Sequence, residues 1–168
     1  FLLFLTAVIK AVDENQDLLR CIVASAGNDH RLGANEAPPS IMSIYVGDEL
    51  DAILNAIRLG TDYEDAKKKK MTIGVDVLPP IPKDSTDRNR TSPFAFTGNR
   101  FEFRSVGSNL SISGPNTILN AILADALKSF ADELEKSDNF DSDLHKLIKR
   151  EITNHWKILF NGNGYGAE

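Results

Sequence analysis

The segment GNRFEFR, Gly98 to Arg104, carries residues that could do chemistry on one of its faces. Read as a β-strand, it sends Phe101 and Phe103 to one side and Arg100, Glu102 and Arg104 to the other. Side chains two positions apart on a strand stand ~7 Å from each other, so a row of plus, minus, plus is offered to whatever lies above it. Arg88 and Arg90 lie just upstream in DRNRTSPFAF. Guanidinium groups bind phosphate and carboxylate oxygens in a bidentate fashion, and a carboxylate among them repels those anions unless a divalent cation sits between. Arginines around a metal-binding carboxylate would make a surface for phosphoryl transfer. A solvent-facing strand with ion pairs along it is the plainer alternative, and residue types alone leave both open.

A second cluster is HRLGANEAPP, where Glu36 is held between Gly33 and the Pro38-Pro39 pair and Arg31 stands a short step before it. Prolines restrict where such a glutamate can wander, and loops on rigid supports often carry catalytic groups. The plainer reading is a solvated loop. Other candidates are weaker. The run Lys67 to Lys70 reads as a solvated charge run. His155, four residues after Glu151 on an apolar stripe, reads as a core or boundary histidine before it reads as half of a metal pair. DNFDSDLHK lacks the glycine and closing glutamate of a calcium loop and reads as a helix start. NGNGYG has no helix after it, so it is weak evidence for a dinucleotide. The sequons at Asn89 and Asn109 matter only for a secreted chain.

The elements that must position these residues make an α+β pattern. Apolar residues at helical spacing predict a helix from Phe1 to about Ala26, broken near DENQD. IMSIYVG and MTIGVDV are strand candidates, and between them DELDAILNAIRLG reads as a helix with acidic residues in its first turn and Gly60 just past its end. From Leu78 to Pro93 the composition argues for an irregular loop, followed by the phenylalanine-rich strands. A long helix should start at Ser113 or Gly114 as N-cap, with Pro115 at its first position, and run through Ile118, Ile122, Ala126, Phe130 and Leu134. Phe101 and Phe103 are expected to pack beneath it. A last helix should carry Leu144, Ile148, Ile152, His155 and Leu159 along one stripe. The whole is expected to be antiparallel β-strands flanked by long helices.

Bulk properties set limits. At 168 residues, 42% hydrophobic and 26% charged, the chain suffices for one domain with a real core. A net charge of −5 offers no basic field, which disfavours nucleic acid or an anionic membrane as partner. Cys21 is the only cysteine, so no internal disulfide forms and no thiolate cage holds a metal, in keeping with a reducing compartment. The opening FLLFLTAVIKAV has neither a basic leader nor a small-residue cleavage site and is short for a membrane span, so it reads as a buried helix. It begins inside a helical pattern and without Met, and the chain closes abruptly, which suggests an interior piece of a longer protein.

NDHRLGANEAPP and RNRTSPFAFTGNRFEFR resemble signature segments of the catalytic domain of glutamine synthetases of the large type III form, and GPNTILNAILADAL resembles the helix that follows them. The likeness covers essentially the whole chain. It implies that residues 1–168 are a carboxy-terminal part of that domain, without the amino-terminal domain and the first half of the active site, and that this piece alone is inactive. It further implies a cytoplasmic enzyme, a homo-oligomeric ring, that joins ammonia to glutamate at the expense of ATP with Mg²⁺ or Mn²⁺. Residue by residue, Arg31 matches an arginine that binds glutamate, and Glu36 a loop glutamate that takes a proton as ammonia attacks. Arg90 and Arg104 match arginines that handle the γ-phosphoryl group, Arg104 also binding substrate. Glu102 matches a metal ligand and Arg100 a nucleotide-contacting arginine. Commoner forms carry a longer loop before the glutamate and a second arginine where this chain has Ala95. A γ-glutamyl amine ligase of the same superfamily, or a non-catalytic assembly module derived from the fold, are the alternatives.

Overall fold

The computed structural model describes residues 1–23, 26, 41–63, 70–71, 81–82, 92–98, 100–104 and 109–162. Helix α1 (Leu2–Glu14) puts Leu5, Ile9 and Val12 on one buried face, the spacing that a helical repeat demands. The break expected near DENQD falls at Asn15, whose amide donates back to the Ala11 carbonyl, and α2 (Gln16–Val23) restarts from there. The N-terminal residues thus form a core helix, although Phe1 and Phe4 remain exposed. No described helix is long and apolar enough to cross a membrane.

Strand β1 (Ile44–Tyr45) is all that forms of the strand expected in IMSIYVG. Gly47, with φ of 81°, turns the chain directly into helix α3 (Gly47–Leu59). That helix ends as its sequence signals: Gly60 takes the left-handed conformation at φ 71°, and its amide donates to the Ala56 carbonyl. Of MTIGVDV the structure describes Met71 alone, at the end of strand β2 (Lys70–Met71), which pairs antiparallel with β3 (Ile81–Pro82), a strand inside the stretch expected to be irregular.

The sheet that matters is three-stranded, in the order β1, β4 (Phe94–Phe96), β5 (Phe101–Phe103). It is mixed, which corrects the expectation of purely antiparallel strands: β4 and β5 form a hairpin, whereas β1 runs parallel to β4. A parallel neighbour needs a long connection, and the residues between Tyr45 and Phe94 supply it. On the outer side of β1, Leu159 bridges Ile44 in parallel, and the Phe160 amide donates to the Ile44 carbonyl.

Helix α4 (Ser113–Leu134) begins two residues before the start expected at Pro115, so Pro115 lies at the third position. The shift costs nothing, because the first turn has no intrahelical use for a proline's missing N–H. Helix α5 (Phe140–Asn154) is capped by Asn139, whose side chain accepts from the Ser142 amide, in line with the helix-start reading of DNFDSDLHK. It stops at Asn154 instead of carrying its stripe on to Leu159. A 3₁₀ turn (Trp156–Ile158) follows and delivers Leu159 to the sheet.

Helices α1, α4 and α5 pack on one another, with α2 on α4 and α3 on α5. Ile44 and Phe94 join their apolar residues in one core, against which Phe101 and Phe103 are half-buried. That core includes Ile122, Ala126 and Phe130 of α4, while the ring–ring contacts of the two phenylalanines are with β4. Phe94 and Phe101 stack at 5.0 Å between centroids, Phe96 meets Phe101 edge-on at 5.3 Å, and Phe103 tilts against Phe94 at 5.9 Å. Hairpin pairing explains this: Phe94 faces Phe103 and Phe96 faces Phe101, so the four rings share a face.

Candidate active site

Both flanks of Glu102 are fixed by backbone before any side chain is considered. At one end of β5 the Arg100 carbonyl accepts from the Thr97 amide at 2.9 Å; at the other the Arg104 amide donates to the Pro93 carbonyl at 2.8 Å. Gly98, with φ of 92°, makes the turn between the strands. Alternation then places Arg100, Glu102 and Arg104 on one face, opposite the phenylalanines.

The three side chains meet. Glu102 Oε1 accepts from Arg100 Nε and Nη2 at 3.3 and 3.1 Å, and Oε2 from Arg104 Nε and Nη2 at 3.2 and 3.1 Å. Each carboxylate oxygen is therefore gripped by its own guanidinium fork. Exposure falls across the row, from 72% for the Arg100 side chain to 34% for Glu102 and 20% for Arg104. Hydrogen bonds from Arg104, then those from Arg100, hold the Glu102 carboxyl below the ordinary glutamate value of 4.5. The trio carries a net charge of +1, and the Arg100 guanidinium stands largely in solvent, a surface suited to oxyanions.

A divalent cation suits it less well. Both Glu102 oxygens are already occupied, and a cation would meet two guanidinium groups beside one carboxylate. Among the described residues no group of three or more His, Cys, Asp or Glu side chains is arranged to hold a metal ion. The described residues alone do not fit the metal that the resemblance implies for Glu102.

Arg31, Glu36 and Arg90 lie outside the described residues, as do Lys67 to Lys69. His155 and Glu151 sit in a buried ion network: His155 Nε2 is 3.3 Å from Glu151 Oε2, and Lys10 Nζ is 3.4 Å from the same oxygen. Asn161, the first residue of NGNGYG, serves the fold. Its Oδ1 accepts from the amides of Val46 and Gly47, both at 3.0 Å, and its Nδ2 donates to Asp51 Oδ1 at 2.9 Å. It thereby fills the start of α3, the place where an anion would otherwise meet free N–H groups. Glu102 has two neighbours on its own face: Ala95, where commoner forms carry a second arginine, and Tyr45, which went unmarked in the sequence reading and which only the strand pairing reveals.

No family model matches the chain. Individual proteins do. A type-3 glutamine synthetase of Dictyostelium discoideum is 51% identical over 171 residues. Glutamine synthetases of Bacteroides fragilis and Butyrivibrio fibrisolvens are 46% identical over 175 residues and 47% over 177. Each match takes in all of this chain, which spans 23% of the length of the first relative and 24% of the other two. The chain belongs to the glutamine synthetase family and corresponds to about a quarter of the length of these relatives.

Proposed function

We propose that the full-length protein carrying this sequence ligates ammonia to glutamate at the expense of ATP, and that its mixed sheet forms part of the catalytic domain. The observation that carries this reading is the row Arg100, Glu102, Arg104, held rigidly on one sheet face, in a chain similar along its whole length to glutamine synthetases.

In the proposed reaction a γ-carboxylate oxygen of glutamate attacks the γ-phosphorus of ATP, and the bond to the bridging oxygen of ADP breaks. Ammonia then attacks the carbonyl carbon of the γ-glutamyl phosphate, inorganic phosphate leaves, and the surplus proton passes to Glu36. Arg104, with Arg90, meets the charge on the transferring phosphoryl group, a task for preset cations in a site screened from water. Arg100, the most exposed of the row, is assigned to the nucleotide and Arg31 to the glutamate substrate. A divalent cation supplies further charge neutralisation in chemistry of this kind. Since the described residues do not complete a site for it, none of these roles depends on one.

Rapid-quench analysis of the full-length protein with glutamate, ammonium and Mg-ATP tests the reading. Glu36→Ala should leave acyl phosphate formation and nucleotide affinity largely intact while glutamine formation falls ~10²- to 10⁴-fold, the usual worth of a general base. Equal loss of both products, with nucleotide binding equally weakened, would make Glu36 a structural residue. A wild-type protein that forms neither product would refute the activity itself.

A further inference from the structure

Strand register puts a third side chain beside the charged row. Tyr45 pairs with Ala95, and Ala95 pairs with Glu102, so the three stand side by side across the sheet and share a face. The neighbouring row, Ile44, Phe94 and Phe103, points the other way into the core. Ala95 is fully buried. It is the smallest member of its row, with a half-buried tyrosine on one flank and the arginine-gripped glutamate on the other. Strands lie about 4.8 Å apart, which sets the Cα atoms of Tyr45 and Glu102 roughly 10 Å from each other.

The backbone around Tyr45 is pinned on both sides. The carbonyl before it, that of Ile44, accepts from the Phe160 amide at 2.9 Å. The two amides after it, those of Val46 and Gly47, both donate to Asn161 Oδ1. A side chain whose neighbours are anchored by a segment 115 residues away in sequence has little room to move.

We propose that Tyr45 is a positioning residue of this site, its ring forming the wall against which a phosphate-bearing ligand held by Arg100 and Arg104 comes to rest. The proposal rests on the reading of the arginine row as an oxyanion site. The ring, rather than the hydroxyl, does the positioning.

The test uses the full-length protein with Tyr45→Ala and Tyr45→Phe. Calorimetric titration with inorganic phosphate reads the site without any turnover, and steady-state glutamine formation gives KM and kcat. Tyr45→Ala should weaken phosphate binding and raise KM for ATP by on the order of 10- to 100-fold, the scale on which a misplaced bound group is felt, with a smaller change in kcat. Tyr45→Phe should recover most of that loss. Unchanged phosphate affinity and KM in a folded Tyr45→Ala protein would overturn the proposal, as would a Tyr45→Phe protein as impaired as Tyr45→Ala. Should Tyr45→Ala fail to fold, Tyr45→Leu is read in the same way. If the wild type binds phosphate but makes no glutamine, the proposed activity fails while the titration still decides the role of Tyr45.

Discussion

His155 Nδ1 lies 2.7 Å from Asp13 Oδ2, a contact between two buried side chains 142 residues apart in sequence. Around it Gln16 Nε2 donates to Asp13 Oδ1 at 2.8 Å, and Arg150 bridges Glu151 and Glu133, each at 2.7 Å. The network ties α1, α2, α4 and α5 together at the point where the chain leaves α5 for the sheet.

Removing one member of such a buried pair leaves the facing atom of the other without its partner, although Gln16 still reaches Asp13 and Glu151 still faces His155. Asp13→Ala and His155→Ala should therefore each lower stability by about 3 kcal/mol, and the double variant should cost clearly less than the sum. Urea denaturation of the three variants is the check. Additive losses would mean that the two side chains contribute independently.

Asn161 should behave as the cap of a helix that starts 114 residues before it. Asn161→Ala removes the acceptor of two amides and should cost about 1–2 kcal/mol, the upper range for a helix cap. Hydrogen exchange should accelerate at Val46 and Gly47. If those amides stay as protected as before, the cap is redundant.

How far the sequence spoke for the fold depends on the range of the forces involved. The stop at Gly60, the start of α4 and the two faces of RFEFR were legible because each follows from local rules: backbone freedom of glycine, helical spacing, strand alternation. The Asn161 cap and the Asp13–His155 pair were not, since each joins residues more than a hundred positions apart. Strand β1 could not be delimited from a short apolar run, and its parallel pairing is decided by tertiary packing. The stripe through Leu144, Ile148 and Ile152 suggested a helix reaching Leu159, but His155 is drawn to Asp13 and the chain turns there. At the site, the charged face of β5 was read correctly. Tyr45 was passed over because its place next to Glu102 depends on pairing across three strands.

Asp51 should make stability depend on pH. Burial, its largest influence, raises its carboxyl above the ordinary 3.8, and Asp48 adds to this; the Asn161 hydrogen bond and Arg58 oppose it. A raised folded value means that the stability tied to Asp51 is fully present below 3.8 and is lost as pH rises through the folded value. At neutral pH the ionised, partly desolvated group is a burden. Asp51→Asn keeps an oxygen for Asn161 Nδ2 and removes the charge, so Tm should rise at pH 7 and stay level at pH 3. A shift of the same size at both pH values would show that charge is not the cause.

The last prediction sets two roles of Glu102 against each other. Its oxygens occupy guanidinium donors of Arg100 and Arg104 that a bound oxyanion would need, so in the absence of divalent cations Glu102 competes with phosphate for them. Glu102→Gln removes the competing charge, and inorganic phosphate should then bind more tightly than to the wild type, with the difference shrinking as salt is added. That difference should be present above pH 4.5 and fade as pH falls through the lowered value of the wild-type carboxyl, because protonation makes the two proteins alike. The same substitution should abolish acyl phosphate formation with Mg-ATP if Glu102 also serves as the ligand of a cation that phosphoryl transfer requires. Calorimetry with phosphate plus chelator, beside rapid-quench detection of acyl phosphate, reads both. Tighter phosphate binding with normal phosphorylation would leave Glu102 as a clamp for the arginines alone; weaker phosphate binding would mean that the carboxylate orients the two guanidinium groups more than it obstructs them.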